Sequence, residues 1–141
     1  MISWVKKWNA EEINEWCRAT IHDSLGIAIT EVGANYIVAK MPVDHRTQQP
    51  VGLLHGGASA VLAESLASIA SNLLLSNGAR AMGIELNISH LKAVRSGHVT
   101  GTCYPIRIGQ TLHVWRVSLR NESGELTAEA RVTIFCSKEK S

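Results

Sequence analysis

The stretch from Thr47 to Ala79, TQQPVGLLHGGASAVLAESLASIASNLLLSNGA, decides the fold because it predicts one long apolar helix. Glu64 carries the only full charge in this stretch, and the nearest cationic residues are Arg46 and Arg80. A carboxylate among alanine, leucine and serine side chains is costly to bury unless its chemistry is used. We therefore expect Glu64 to be a functional acid in a setting of low polarity, which would make it more basic than a free carboxylate.

The predicted helix runs from Ala58 to Leu75 and is preceded by His55, Gly56 and Gly57. Adjacent glycines at the start of a helix allow another molecule to approach the backbone closely. The first N–H groups of a helix lack internal partners, so they can bind a developing negative charge. Gly56 is therefore a candidate donor to a carbonyl oxygen.

The spacing of Gly56 and Glu64 limits what one copy of the chain can do. The two residues are eight positions apart, and a helix rises 1.5 Å per residue, which separates them by roughly 12 Å. This is too far for both groups to act on the same carbonyl. If both are catalytic, the glycine loop must work with Glu64 of a second subunit, and the spacing predicts a two-fold dimer with two shared sites.

Length and composition restrict the class of protein. A chain of 141 residues predicts a single domain over residues 1–141. The net charge of +2 and the lack of a nucleic-acid-binding motif argue against a nucleic-acid partner. Charges near the start argue against a signal peptide, and Glu64 with four serines in the apolar helix argues for a buried helix rather than a membrane span. We expect a cytoplasmic protein that does not bind a membrane.

Cysteine and histidine positions give no sign of a metal or a redox site. The cysteines are odd in number and far apart, which predicts reduced core thiols at Cys17, Cys103 and Cys136. The six histidines have no ligand-like spacing with cysteine or aspartate. We expect no metal and no cofactor.

The N-terminal third predicts a helix followed by a hairpin. Asn9 and Glu12 have the spacing of a capping box, and the apolar face of the helix would hold Ile13, Trp16, Cys17 and Thr20 or Ile21. Strands at Gly26 to Glu31 and Asn35 to Met41 would follow, with the inward positions Ile27, Ile29, Ile37, Ala39 and Met41.

The rest of the chain predicts four more strands. Alternating residues mark them at Met82, Ile84, Leu86 and Ile88, at Val99, Gly101 and Cys103, at Trp115, Val117 and Leu119, and at Leu126, Ala128, Ala130, Val132, Ile134 and Cys136. Short connections between consecutive strands favour an antiparallel sheet. We therefore predict an α+β fold in which a curved antiparallel sheet wraps around the long central helix.

Several of these segments together resemble one enzyme family. They are Met41–Asp44, Arg46–Thr47, Gln49–Pro50, Gly52–Ser59, Leu62–Glu64, Gly83–Asn87 and His90. The combination resembles the hotdog-fold acyl-CoA thioesterases, in the branch of the 1,4-dihydroxy-2-naphthoyl-CoA and enterobactin-pathway proofreading thioesterases and, more distantly, the phenylacetate-pathway type. The resemblance implies a hotdog fold, active sites at a dimer interface, and tetramers built from two dimers.

The resemblance also implies roles for particular residues. Glu64 would attack the thioester or activate water, and the Gly56 N–H would polarise the carbonyl. His55 and Gln49 match residues that orient the thioester, although His55 could instead brace the loop and Gln48 lies beside Gln49. Ser68 lies four residues after Glu64 on the same helix face, where it could hold the attacking water or bond its own helix carbonyl.

Coenzyme A would bring phosphates that attract cations. The resemblance places the CoA groove at Gly83, at His90, Leu91, Lys92 and Ala93, and at Arg107, Ile108, Gly109, Gln110, Thr111 and Leu112. Single surface cations are otherwise usually just solvated. Residues 91–94 and 106–111 depart from the pattern of the family branch, so the phosphate contacts could differ.

Three functions fit this sequence. The first is hydrolysis of an aryl- or small acyl-CoA thioester, in which CoA is part of the substrate and not a cofactor; a carrier-protein thioester is an alternative substrate. The second is a hotdog dehydratase, and the third is a non-catalytic acyl-CoA-binding domain. In each case the expected assembly is a homodimer at minimum and a homotetramer by resemblance.

Overall fold

Three helices and six strands make up the computed structural model, which describes residues 2–138. The prediction of one domain over residues 1–141 extends at both ends beyond the described residues. The helices are α1 (Ala10–Trp16), α2 (Ile21–Leu25) and α3 (Gly56–Leu74). The strands are β1 (Ala28–Val32), β2 (Ile37–Pro42), β3 (Ala81–His90), β4 (His98–Ile108), β5 (Leu112–Arg120) and β6 (Leu126–Cys136).

The six strands form one antiparallel sheet in the order β1-β2-β4-β5-β6-β3. The last strand, β6, lies between β5 and β3, so β3 is an edge strand although it precedes β4 in the chain. Among the principal contacts between elements, helix α3 contacts every strand except β1. The prediction of an α+β fold with an antiparallel sheet around a long helix is confirmed.

The core lies between α3 and the inner face of the sheet. Leu62, Leu66 and Leu73 of α3 are fully buried there. Gly101 is needed at one point of closest approach, since a Cβ on it would lie 2.9 Å from a methyl carbon of Leu66. The inward strand positions predicted from alternation in β1, β2, β4 and β5 are buried, and the three cysteines are buried and free.

The N-terminal segment differs from the single helix that the sequence predicts. The Asn9–Glu12 capping box forms, but α1 ends at Trp16 and a second helix begins after Thr20. Ala19 adopts a φ of 58° between the two helices, so the chain changes direction there. The predicted apolar face is therefore only partly buried: Ile13 is fully buried, whereas Trp16 and Ile21 are 51% and 49% exposed.

The central helix begins earlier than predicted, at Gly56 rather than Ala58. His55 is its N-cap and accepts a hydrogen bond from the Gly57 N–H, which organises the first turn. Among residues 2–138, α3 is the one helix that is long and apolar enough to cross a membrane. Its packing against the sheet accounts for this composition, because a buried core helix has the same length and apolar character.

Candidate active site

A cavity of about 370 Å³ gathers the residues at the start of α3 and the end of β3. Of the residues predicted from the sequence, it is lined by Gln49, Gly56, His90, Leu91, Lys92 and Ala93. Its wall also includes residues without a predicted role: Leu53, Leu54 and Ser59 from the family-like segment Gly52–Ser59, Val94 from the segment 91–94, and Thr127. Thr127 alone lies outside those segments, and it reaches the cavity because its carbonyl accepts the Leu91 and Lys92 N–H groups.

Gly56 is the first residue of α3 and presents an unpaired backbone donor. None of the hydrogen bonds within the described residues is donated by its N–H. The imidazole of His90 packs directly against it, since a Cβ on Gly56 would lie 2.7 Å from His90 Nε2. A backbone N–H at a helix N-terminus, beside an imidazole and inside a cavity, is an arrangement that can stabilise an oxyanion.

The structure separates the two adjacent glutamines. Gln49 lines the cavity; its Oε1 accepts a hydrogen bond from the Val51 N–H at 2.6 Å, and no hydrogen bond within the described residues uses its Nε2. Gln48 instead donates to the carbonyl of Arg95 at 2.9 Å and holds the loop. Gln49 is therefore the glutamine with a donor available to a ligand in this cavity.

His55 caps the central helix. Its Nδ1 accepts the Gly57 N–H at 2.7 Å, which leaves the ring proton on Nε2 in the neutral form. The ring lines a different cavity together with Gln48 and Arg46. This geometry matches the loop-bracing alternative for His55, and a direct role in the chemistry stays a prediction.

A second cavity, of about 400 Å³, holds the predicted acid. Glu64 and Ser68 line it, together with Trp16, Cys17, Thr20, Ile21, His22, Ser65, Ile69 and Asn72. Glu64 is exposed, because the sheet covers one side of α3 and Glu64 lies on the other. The carboxylate is therefore not buried within a single chain, since its apolar neighbours in sequence point to the core while it points out. The low-polarity setting expected for it stays a prediction.

Glu64 packs against the start of β3. A Cβ on Gly83 would lie 2.9 Å from Glu64 Oε1, so Gly83 lies next to the candidate acid, and its role in the CoA groove stays a prediction. The Ser68 hydroxyl makes no hydrogen bond within the described residues, whereas the Ser68 carbonyl accepts the Asn72 amide at 2.8 Å. The alternative of a serine that bonds its own helix is thus not observed for the Ser68 side chain.

The two predicted CoA segments do not meet in one chain. Leu91 and Lys92 both donate their N–H groups to the Thr127 carbonyl, which shapes the loop after β3, and Lys92 pairs with Glu125 at 2.9 Å. The segment from Arg107 to Leu112 lies at the opposite end of the sheet. The register shows this, since Ile108 is in line with His113, Ile134 and Gly83, whereas His90 is in line with Ala128, Leu119 and Gly101.

Comparison with known proteins places this chain in a family. The family model described as the thioesterase superfamily matches residues 51–133. The crystal structure of a thioesterase from Haemophilus influenzae superimposes with a TM-score of 0.95 and 40% identity, covering 98% of this chain and 96% of that one.

Two similar proteins carry named activities. The 1,4-dihydroxy-2-naphthoyl-CoA hydrolase of Escherichia coli is 38% identical over 130 residues, covering 92% of this chain and 95% of that protein. The proofreading thioesterase EntH of Cronobacter sakazakii is 39% identical over 130 residues, covering 92% and 95%. These similarities confirm the resemblance noted in the sequence: the chain belongs to the hotdog-fold thioesterase superfamily and is a thioester hydrolase.

Proposed function

We propose that this protein hydrolyses acyl-CoA thioesters with an aryl or small acyl group, at a site shared between two subunits. The Gly56 N–H of one subunit would bind the thioester oxygen, and Glu64 of the partner subunit would attack the carbonyl or activate water. The observation that carries this proposal is the division of the site: within one chain, Gly56 and Glu64 line two different cavities.

The chemistry requires a donor for the oxyanion and a base or nucleophile. An aimed backbone N–H stabilises the developing oxyanion by about 2.7–4 kcal/mol, and Gln49 Nε2 is available beside it. Glu64 then takes a proton from water, or attacks to form an anhydride that water opens. Either route breaks the C–S bond, releases CoA as the thiol and leaves the free acid. The Ser68 hydroxyl, which lines the Glu64 cavity, would hold the water.

The free edge of β3 supports a dimer that would complete this site. An exposed edge strand offers a row of unpaired N–H and C=O groups, and Ile84 on β3 is 59% exposed. Antiparallel pairing of two β3 strands about a two-fold axis would put the His90 end of one subunit beside the Gly83 end of the other. Gly56 packs against His90 and Glu64 against Gly83, so the two catalytic groups would face each other.

The same dimer would join the two CoA segments. The segment from Arg107 to Leu112 lies at the Gly83 end of the sheet, so the partner subunit's copy would reach the end that holds His90 to Ala93. CoA would enter as part of the substrate, without a separate cofactor or metal, and this intracellular metabolite supports a cytoplasmic location. A carrier-protein thioester remains the alternative substrate, and it would need no adenine contacts.

A further pairing of dimers into a tetramer is part of the proposal. Met82, Phe135 and Leu112 are adjacent in register across three strands, and all three are exposed. Such a row of apolar side chains on a sheet face is the kind of surface that subunits cover. Sedimentation of the protein at micromolar concentration measures the assembly directly.

Mixing two inactive variants tests the shared site. Glu64→Ala removes the acid and Gly56→Pro removes the N–H, so each homodimer should be inactive. In a mixed dimer, one of the two sites keeps both wild-type groups, so random exchange should restore about a quarter of the wild-type activity. Thiol release from benzoyl-CoA measures it.

A site contained in one chain gives a different result. The mixture would then be as inactive as either variant alone, and the proposal would fall. Refolding the two variants together and separately controls for incomplete exchange, and thermal unfolding of each variant confirms that the fold is intact.

A further inference from the structure

His22, in the short helix α2, has an unsatisfied buried nitrogen. The residue is 8% exposed. Its Nδ1 is the one buried side-chain nitrogen or oxygen within the described residues that has no hydrogen-bond partner. Buried polar atoms are nearly always paired, and one that is not calls for an explanation such as a missing ligand.

His22 lines the same cavity as Glu64. The cavity walls around it are largely apolar, with Trp16, Ile21 and Ile69 contributing. Within the described residues, the Glu64 carboxylate and the Ser68 hydroxyl of this cavity also have no hydrogen-bond partner. A cavity of about 400 Å³ with a few unpaired polar groups has the size and composition of a small-molecule site.

Two of the polar side chains that line the cavity with His22, those of Thr20 and Asn72, already have partners. Thr20 Oγ1 bonds the Cys17 carbonyl and accepts the His22 N–H. Asn72 donates to the Ser68 carbonyl and accepts the Ala81 N–H. The polar atoms of Thr20 and Asn72 therefore serve the fold, whereas Glu64, Ser68 and His22 keep polar groups that have no partner within the described residues.

The imidazole is neutral at physiological pH. Burial lowers its pKa below the ordinary 6.5, and the nearby Asp23 carboxylate opposes this only in part. Asp23 itself accepts the Ala19 N–H at 2.7 Å. A neutral imidazole offers one donor and one acceptor nitrogen. No hydrogen bond holds the ring within the described residues. Because Nδ1 is itself buried, the ring would have to turn about Cβ–Cγ to present this nitrogen to a ligand.

We propose that His22 is a specificity-determining residue, which hydrogen-bonds through Nδ1 to a hydroxyl substituent on the acyl group of the substrate. The proposal rests on the proposed function, since it places the acyl group in the cavity of Glu64. The thioester carbon would lie at Glu64, and the acyl group would extend between α3 and α2 to His22. An unsubstituted acyl group would leave the nitrogen unpaired, so the site would discriminate against it.

Matched substrate pairs test this role. The panel is benzoyl-CoA with its three monohydroxy isomers, and butanoyl-CoA with 3- and 4-hydroxybutanoyl-CoA. We expect the kcat/KM of the wild type to favour at least one hydroxylated member over its parent by about tenfold or more. His22→Leu should bring that ratio close to one, because it removes the hydrogen-bonding nitrogen.

Two conservative variants keep the test informative if His22→Leu does not fold. The Asn amide in His22→Asn lies near the position of Nδ1, and the amide in His22→Gln lies near that of Nε2. The proposal requires His22→Asn to keep more of the hydroxyl preference than His22→Gln. A wild type without a hydroxyl preference, or a preference that survives in His22→Leu or is better kept in His22→Gln, would overturn it.

Equilibrium binding separates this proposal from the proposed function. Calorimetric titration of the same thioesters into Glu64→Gln protein measures affinity without turnover. If the wild type hydrolyses the thioesters without a hydroxyl preference, the proposed function stands and the proposed role of His22 is wrong. A protein that cleaves none of the panel would contradict the proposed function. If its binding still depends on the hydroxyl and this dependence is lost in His22→Leu, the role of His22 stands.

Discussion

The Gly56 N–H can be removed with little change to the fold by the substitution Gly56→Pro. Gly56 is the first residue of α3, a position where proline is favoured because its missing N–H would be unpaired in any case. His55 has φ −68° and ψ 130°, which is the conformation that a residue before proline prefers. No intramolecular hydrogen bond is lost, since none within the described residues is donated by this N–H.

The expected effect follows from the loss of one oxyanion donor. Such a loss costs about 2.7–4 kcal/mol, or a factor of about 10² to 10³ in kcat. A new side chain at this position also meets His90, because a Cβ would lie 2.7 Å from Nε2 and the ring must move. The stability of the folded state should change little, since restricting the unfolded chain with proline stabilises by about 0.4–1 kcal/mol and offsets part of this contact.

Gly56→Ala is the matched control. It introduces the same Cβ against His90 but keeps the N–H. We expect its kcat for benzoyl-CoA, followed by thiol release, to exceed that of Gly56→Pro by about a hundredfold, with similar thermal unfolding for both variants. Equal kcat values for the two folded variants would mean that the N–H does not bind the thioester oxygen, and the assignment of Gly56 would be wrong.

Three further predictions concern the acid, the buried imidazoles and the strand edge. In Gly83→Ala the new Cβ would lie 2.9 Å from Glu64 Oε1 and displace the carboxylate. The kcat measured by thiol release should fall by about tenfold to a hundredfold. The same change in a Glu64→Ala background should have no effect on kcat. Burial holds the pKa values of His22 and His113 below 6.5, so the free energy of unfolding should be highest above that pH and fall below it, by up to about 1.4 kcal/mol per pH unit for each imidazole. Urea unfolding between pH 7.5 and 5 measures this, and a flat profile would contradict it. Ile84→Lys puts a charge on the free edge of β3 and should dissociate the dimer and abolish activity in parallel; sedimentation that still shows a full dimer would rule out pairing through this edge.

The parts of the fold with one buried face could be predicted from the sequence. In β5, Trp115, Val117 and Leu119 are fully buried and the residues between them are more exposed, so the period of two is visible. The capping box at Asn9 is likewise a local signal, since both partners lie within one helical turn. These features depend on residues close in sequence or on a repeated pattern.

Features that depend on distant contacts could not be predicted. The apolar spacing continues through Ala19, although the backbone turns there. The exposure of Glu64 was missed because neighbours in sequence do not tell which side of a helix the sheet covers. Strand register cannot be read from the sequence either. The pairing of β3 with β6 is what shows that His90 and the segment Arg107 to Leu112 lie at opposite ends of the sheet.

The central position of β6 has a consequence for synthesis on the ribosome. Strand β3 pairs with β6, which lies between β5 and β3 in the sheet. Within the chain, β3 therefore has no hydrogen-bonded neighbour until residues 126–136 have emerged from the ribosome, and the adjoining side of α3 is not covered before then. Until then, the edge of β5 and the edge of β3 that β6 will join are both unpaired in the nascent chain. Pairing between segments so far apart in the sequence slows folding. A ribosome stalled before residue 126 should therefore carry a chain that is sensitive to protease and is held by chaperones, whereas release of the strand should close the sheet in one cooperative step.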